Sequence, residues 1–228
     1  MQLLVIFLLL SSCRHEDKKQ ASPTGKLSTL TVPTDSNSLY FPLKGNPSDA
    51  IDQEQTLESF ADIRYSHVLF VLHEPGLWNY SGPKEIYRFT CIPSYVNAPV
   101  TITILQDSLD HRMIYRTRLH IERVRPDGSV GNAGHDDSVV VDTTFAVKPE
   151  EWKNFQSCLD KADFWRLPGT TDDTTVEGTQ YLLEGTKNGK YHFAIRWSAS
   201  DDRFPDYYAC CGYLLQIARK SVRRGIIM

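Results

Sequence analysis

The chain has 228 residues, 41% of them hydrophobic and 23% charged, enough for one domain with a sizeable core and polar tails. A formal net charge of −3 gives no electrostatic reason to expect nucleic acid as a partner.

Residues 3–10 are an uninterrupted apolar run. Such a run is too short to span a bilayer as a helix and suits the core of a signal peptide. Leu10-Ser11-Ser12-Cys13 follows and resembles the lipobox of bacterial lipoproteins. The resemblance implies cleavage before Cys13, a diacylglyceryl thioether on its sulfur and acylation, of the palmitate kind, on its new amino group. Several acyl chains on one residue give stable anchoring where a single chain does not. The implied address is the bacterial cell envelope, with the protein a membrane-anchored lipoprotein, periplasmic or surface-facing. One departure is that no Lys or Arg precedes the apolar run. On this reading residues 1–12 are a signal peptide, 13–47 are the lipidated cysteine and a flexible polar tether, and 48–228 are a single domain. Cys91, Cys158, Cys210 and Cys211 then lie in a compartment that permits disulfides. A bridge between helices bearing Cys158 and Cys210 or Cys211, a redox pair at Cys210-Cys211, and small apolar residues on a packed helix all remain open.

Ser48-Asp49 has the character of a helix N-cap, with helix expected to about Phe60. Residues 65–72 are apolar without a period that decides between helix and strand, and Glu74-Pro75-Gly76 ends them. Residues 86–92, 100–105, 113–124 and 139–147 alternate as strands, with Asp127-Gly128 a turn. Their short spacing favours antiparallel meanders. Lys148-Pro149-Glu150-Glu151 opens a helix, since proline suits its first position and acids its first turn. Trp152, Phe155, Leu159 and Ala162 recur on one face of that helix, and Pro168-Gly169 stops the segment. Pro205 opens a last helix to about Lys220, with Tyr208, Cys211, Leu215 and Ala218 along one side.

Between these helices lies the clearest local signal. Two alternating runs flank Asn188-Gly189, the dipeptide best suited to a type I′ turn. A two-residue loop pairs Lys187 with Lys190, Gly185 with His192, Glu184 with Phe193 and Leu182 with Ile195. Leu182, Tyr191, Phe193, Ile195 and Trp197 then share the face expected to be the core side, and Tyr181, Leu183, His192 and Arg196 share the other. The expected fold is α+β, a mostly antiparallel sheet of about six strands with helices packed on one face.

Tyr65-Ser66, His73-Glu74-Pro75, Tyr87-Arg88-Phe89, Trp152, Phe164-Trp165, Leu183-Glu184-Gly185, Tyr191-His192 and Arg196-Trp197-Ser198 together resemble a family of uncharacterised bacterial proteins, many of them lipoproteins. The resemblance spans roughly residues 57 to 218 and is most specific over the EG…YH…RWS hairpin. It implies a fold and an address and carries no assigned activity. Departures fall at residues 92–96, at Glu177 and at Tyr181.

No phosphate-binding glycine loop, H-E-x-x-H or G-x-S-x-G is present, and the seven histidines have no metal-ligand spacing. No cofactor and no metal are expected. The best polar constellation is Glu74, Arg88, Glu184, His192 and Arg196. It reads either as a structural ion network or as a site in which a carboxylate–imidazole pair acts on an anionic substrate. In the structural reading Arg196 pairs with Glu184 or Glu74. The favoured function is a lipid-anchored accessory or binding protein without catalysis. The alternative is a small envelope hydrolase using His192 and Glu184.

Overall fold

The computed structural model describes residues 29–34, 40–41, 59–93, 98–107, 110–120, 123–124, 130–131, 138–170, 178–197 and 203–225. The apolar run at residues 3–10, Cys13 and the expected helix start at Ser48-Asp49 lie outside them.

The elements in chain order are α1 (Ser59–Val71), β1 (Glu85–Ile92), β2 (Val100–Asp107), β3 (Asp110–His120), β4 (Arg123–Val124), β5 (Val130–Gly131), β6 (Ser138–Ala146), α2 (Pro149–Lys161), β7 (Gln180–Lys187), β8 (Lys190–Trp197) and α3 (Pro205–Gly225), with a short 3₁₀ turn at Phe164–Arg166. Six strands form one antiparallel sheet in the order β6-β3-β2-β1-β7-β8, and β4 and β5 form a small separate hairpin. This is the α+β fold expected from the sequence. A meander runs outward from β1 through β2 and β3 to β6. The chain then crosses by α2 to the other side of β1, where β7 and β8 pair as the hairpin. The ambiguous apolar run at residues 65–72 is helical through Val71.

The hairpin has the expected register, with Lys187 opposite Lys190 and Gly185 opposite His192. Asn188 and Gly189 have φ of 52° and 71°, the two positive values a type I′ turn requires.

Both faces of the sheet are covered. On the first, α2 and α3 bury Trp152, Phe155, Leu159, Tyr207, Cys210, Cys211, Leu214 and Ile217 against Tyr87, Phe89, Ile102, Ile104, Met113, Leu183 and Ala194. The placement of helices on one face holds for α2 and α3. The second face carries α1, whose Tyr65 and Leu69 pack with Tyr40, Phe41, Leu77, Ile86, Leu182, Tyr191, Phe193 and Ile195. Tyr40 and Phe41 fall within the expected tether yet are fully buried, so part of that segment belongs to the core. The Tyr40 amide donates to Ser66 Oγ at 3.1 Å, and the Gly76 amide donates to the Thr31 carbonyl at 3.1 Å. Removing a side chain such as Phe155 or Phe41 from water stabilises the fold by roughly 2 kcal/mol, which offsets the entropy of ordering these segments.

The helix ends and faces set where the polar side chains fall. The acids of α2 sit at its positive end, and the Glu151 carboxylate accepts the Lys148 amide at 3.0 Å. The buried stripe of α3 is Tyr207, Cys210, Cys211, Leu214, Ile217 and Ala218, with Tyr208 and Leu215 only half-buried. Cys211 and Ala218 of the expected face are therefore buried, while Tyr208 and Leu215 give way to Tyr207 and Leu214, a rotation of less than the roughly 100° that one residue spans. The helix α1 ends in a Schellman arrangement. His73 takes the left-handed φ of 54°, its amide donates to the Phe70 carbonyl, and the Glu74 amide donates to the Leu69 carbonyl at 2.9 Å. Pro75 follows and cannot continue the helix.

Cys91, Cys158, Cys210 and Cys211 are free thiols, and Cys210 and Cys211 are fully buried. Burial pushes the Cys91 thiol up to about 11 and the other three upward as well, so none of the four is primed as a thiolate. Among the described residues no helix is long and apolar enough to cross a membrane.

Candidate functional site

The five candidate residues divide between the two faces of the sheet. Strand pairing places Arg88 opposite Glu184 and Thr103, and Tyr87 opposite Gly185, which is itself opposite His192. Directly opposite residues share a face and neighbours along a strand alternate. Arg88 and Glu184 therefore lie on the α1 face with Phe193. His192 and Arg196 lie on the α2–α3 face. The expected carboxylate–imidazole pair of Glu184 and His192 is separated by the sheet itself.

On the α1 face a polar row crosses all six strands of the sheet. Arg88 Nε donates to Glu184 Oε2 at 2.8 Å, and its Nη2 lies 2.7 Å from the same oxygen. Tyr191 Oη donates to the other carboxylate oxygen at 2.9 Å. Arg88 Nη1 donates to the Pro75 carbonyl at 2.6 Å and stands 3.5 Å from Glu74 Oε2. Glu74 also accepts from the hydroxyls of Thr101 at 2.6 Å and Thr103 at 3.3 Å. Its Oε1 lies 3.2 Å from Nη1 of Arg116, whose Nε donates to Asp142 at 2.9 Å. The Schellman turn of α1 brings Glu74 onto the sheet, and the proline after it contributes its carbonyl.

Arg88, Glu74 and Glu184 are each 0% exposed. Burial disfavours the Arg88 charge, but Glu184 and Glu74 outweigh it and hold the guanidinium above its ordinary range. Burial also raises the Glu184 carboxyl, against the opposing pull of Arg88 and the Tyr191 hydroxyl. Charges this deep persist only with partners, and here each has at least two.

On the opposite face His192 packs against the rings of Phe164 and Trp165, with centroids 4.9 and 6.1 Å away. It hydrogen-bonds the backbone at Phe164 and Leu167, and burial depresses it to about 4, so the imidazole is neutral at physiological pH. Arg196 corrects the expected pairing with Glu184 or Glu74, because both carboxylates are across the sheet. Its Nη1 donates to the Ile195 carbonyl at 2.6 Å and its Nη2 to the Pro168 carbonyl at 2.9 Å. The guanidinium stacks over Phe204 at 4.3 Å from the ring centroid, with Tyr207 at 5.5 Å. Tyr207 Oη in turn lies 2.7 and 2.9 Å from the carbonyls of Tyr181 and Ala194, tying α3 to β7 and β8.

Arg116, Asp142, Thr101, Thr103 and Tyr191 belong to the first network and were not among the sequence candidates. Nothing local marked them: β3 also carries Arg112 and Arg118, and Thr101 and Thr103 read as the ordinary polar positions of an alternating strand. A surface depression of about 410 Å³ lies along α3, lined by Gly212, Leu215, Gln216, Arg219 and Lys220, and includes none of the five candidates. Among the described residues no group of His, Cys, Asp or Glu is arranged to hold a metal ion. A scan against protein-family models finds no matching family, and a search of curated proteins finds no match.

Proposed function

We propose that this chain is a lipid-anchored protein of the bacterial cell envelope with a non-catalytic accessory or binding role. The observation that carries the second half of this reading is how the charged side chains are used. Arg88, Glu74 and Glu184 are wholly buried and ion-paired with one another, so a substrate would have to dismantle the core to reach them. His192 and Arg196 are likewise 1% and 0% exposed, beneath aromatic rings on the other face. A hydrolase using His192 and Glu184 needs both groups within about 3–4 Å of one reacting centre. Residues on opposite faces of a single strand pair do not meet that need.

The address is supported by the sequence alone: the apolar run at residues 3–10, Leu-Ser-Ser before Cys13, and the polar stretch after it. The resemblance to uncharacterised bacterial proteins, many of them lipoproteins, points the same way. The test is Cys13→Ala in a bacterial host. The variant should lose metabolic labelling by fatty acid and move from the membrane to the soluble fraction. Labelling and fractionation identical to wild type would end the lipoprotein reading.

A further inference from the structure

The chain between the expected anchor and the domain is shorter than the sequence suggests. Thr31 is already fastened to the domain, its carbonyl accepting the Gly76 amide at 3.1 Å. Only residues 14–28 separate Cys13 from the first described residue, Thr29. A chain of that length reaches at most about 55 Å, against about 120 Å for a tether running to residue 47.

The pole at which the chain joins the domain is built from residues 29–34, the end of α1 and the turn that follows it. Val32 is 47% exposed there. Leu30, Phe70 and Trp78 are half-buried against the second core. Across residues 29–34 and 65–81 the single acid is Glu74, which is fully buried. The exposed titratable side chains there are His67 and His73, neither of which carries negative charge. The whole chain holds 28 acidic residues, so this pole differs from the average surface in offering no repulsion to an anionic one. Exposed apolar side chains beside an indole suit a boundary between water and lipid, where the ring stays dry and its N–H stays wet.

We propose that the pole formed by Leu30, Val32, Phe70 and Trp78 rests on the headgroup layer of the bilayer that carries the anchor. The proposal depends on the lipoprotein reading above and adds an orientation to it. The chain enters the domain at this pole, so the short leash presents it, rather than the α2–α3 face, to the membrane. Four side chains are a small area for a protein complex. Lipid contact needs less, because an anchor on the same chain keeps even a weak contact at high effective concentration.

The test uses the full lipidated chain in vesicles of phosphatidylethanolamine and phosphatidylglycerol. Photoreactive benzoylphenylalanine replaces Val32 or Trp78 and, in controls, Lys153 or Arg166, exposed residues on the α2–α3 side of the sheet. Fatty-acid labelling of each sample reports on Cys13, and circular dichroism on the fold. After irradiation, lipid adducts at positions 32 and 78 should exceed those at 153 and 166 several-fold. Val32→Asp should lower the adducts at position 78 several-fold and leave fatty-acid labelling unchanged. Equal adducts at all four positions in a labelled, membrane-bound chain overturn the proposal and leave the lipoprotein reading intact. Cross-links from position 32 to a second copy in place of lipid overturn it too. A chain that takes up no fatty acid ends both readings. Position 32 is exposed and decides the matter alone where replacing Trp78 disturbs the fold.

Discussion

Arg88 and Glu184 stand opposite each other in neighbouring strands, and both guanidinium contacts, at 2.8 and 2.7 Å, fall on the one oxygen Glu184 Oε2. The other carboxylate oxygen is taken by Tyr191. This division makes the pair the centre of a buried network that joins the α1 turn, β1, β7 and β8. Removing one partner leaves the other charged in a site that water does not reach. Glu184→Gln should therefore lower unfolding free energy by about 3–5 kcal/mol. Replacing both members, in Arg88→Met with Glu184→Leu, should cost less than the sum of the two single changes, because no charge is stranded. Urea unfolding of the three variants measures this directly. An unaltered midpoint for Glu184→Gln would mean that the network contributes little to stability and would reopen the case for a ligand site.

Two glycines of the same hairpin should respond to substitution for different reasons. A Cβ on Gly185 would lie 2.7 and 2.8 Å from ring carbons of Tyr87 and 3.0 Å from Phe164. The Tyr87 ring cannot retreat, because Phe155 and Trp152 pack against it. Gly185→Ala should cost about 1–3 kcal/mol through overpacking alone. Gly189 has nothing within 4 Å of an added Cβ but holds φ at +71°. Gly189→Val should cost about 1 kcal/mol or more through backbone strain, while Gly189→Asn, which tolerates that conformation better, should cost less. Thermal unfolding of the three proteins separates space from conformation. Equal losses for Gly189→Val and Gly189→Asn would remove the conformational argument.

The hairpin was legible because its signal is local: a dipeptide that accepts positive φ, and a period of two on either side. The core face was only half legible. Alternation marks a strand with one buried face, whereas β7 and β8 are buried on both, so Leu183 and Ala194 are as enclosed as Leu182 and Phe193. The separation of Glu184 from His192 was implicit in the register, since Glu184 opposite Phe193 and Gly185 opposite His192 have opposite parity. Grouping them by charge type concealed it. Arg116 could not be joined to Glu74 from sequence, because the contact depends on β2 lying between β1 and β3 and on the left-handed turn at His73. The position of α1 on the second face was hidden for a different reason. Among its side chains that the structure describes, Tyr65, Ser66 and Leu69 are buried beside the intermediate Val68 and Phe70, a pattern with a serine in it that does not stand out as an apolar stripe.

His192 gives the last prediction, a pH dependence whose sign is fixed by burial. Desolvation is the largest influence on its imidazole, and nearby Arg196 adds to it, so the folded value lies near 4 against an ordinary 6.5. Between these values the unfolded chain binds a proton that the folded chain refuses. The contribution is fully present above pH 6.5 and is lost progressively as pH falls toward 4. Integrated over that interval it amounts to about 3 kcal/mol. Compared with a variant that cannot titrate at this position, wild type should therefore lose extra stability on mild acidification, the difference in slope approaching one proton per molecule unfolded, while the raised Glu184 carboxyl acts in the opposite sense in both proteins. His192→Gln keeps a polar group beneath Phe164 and Trp165 but cannot titrate. It should start less stable at neutral pH and show a flatter profile from pH 6.5 downward. Chemical denaturation at a series of pH values gives both slopes. Parallel profiles for the two proteins would show that the proton is taken up elsewhere in the chain.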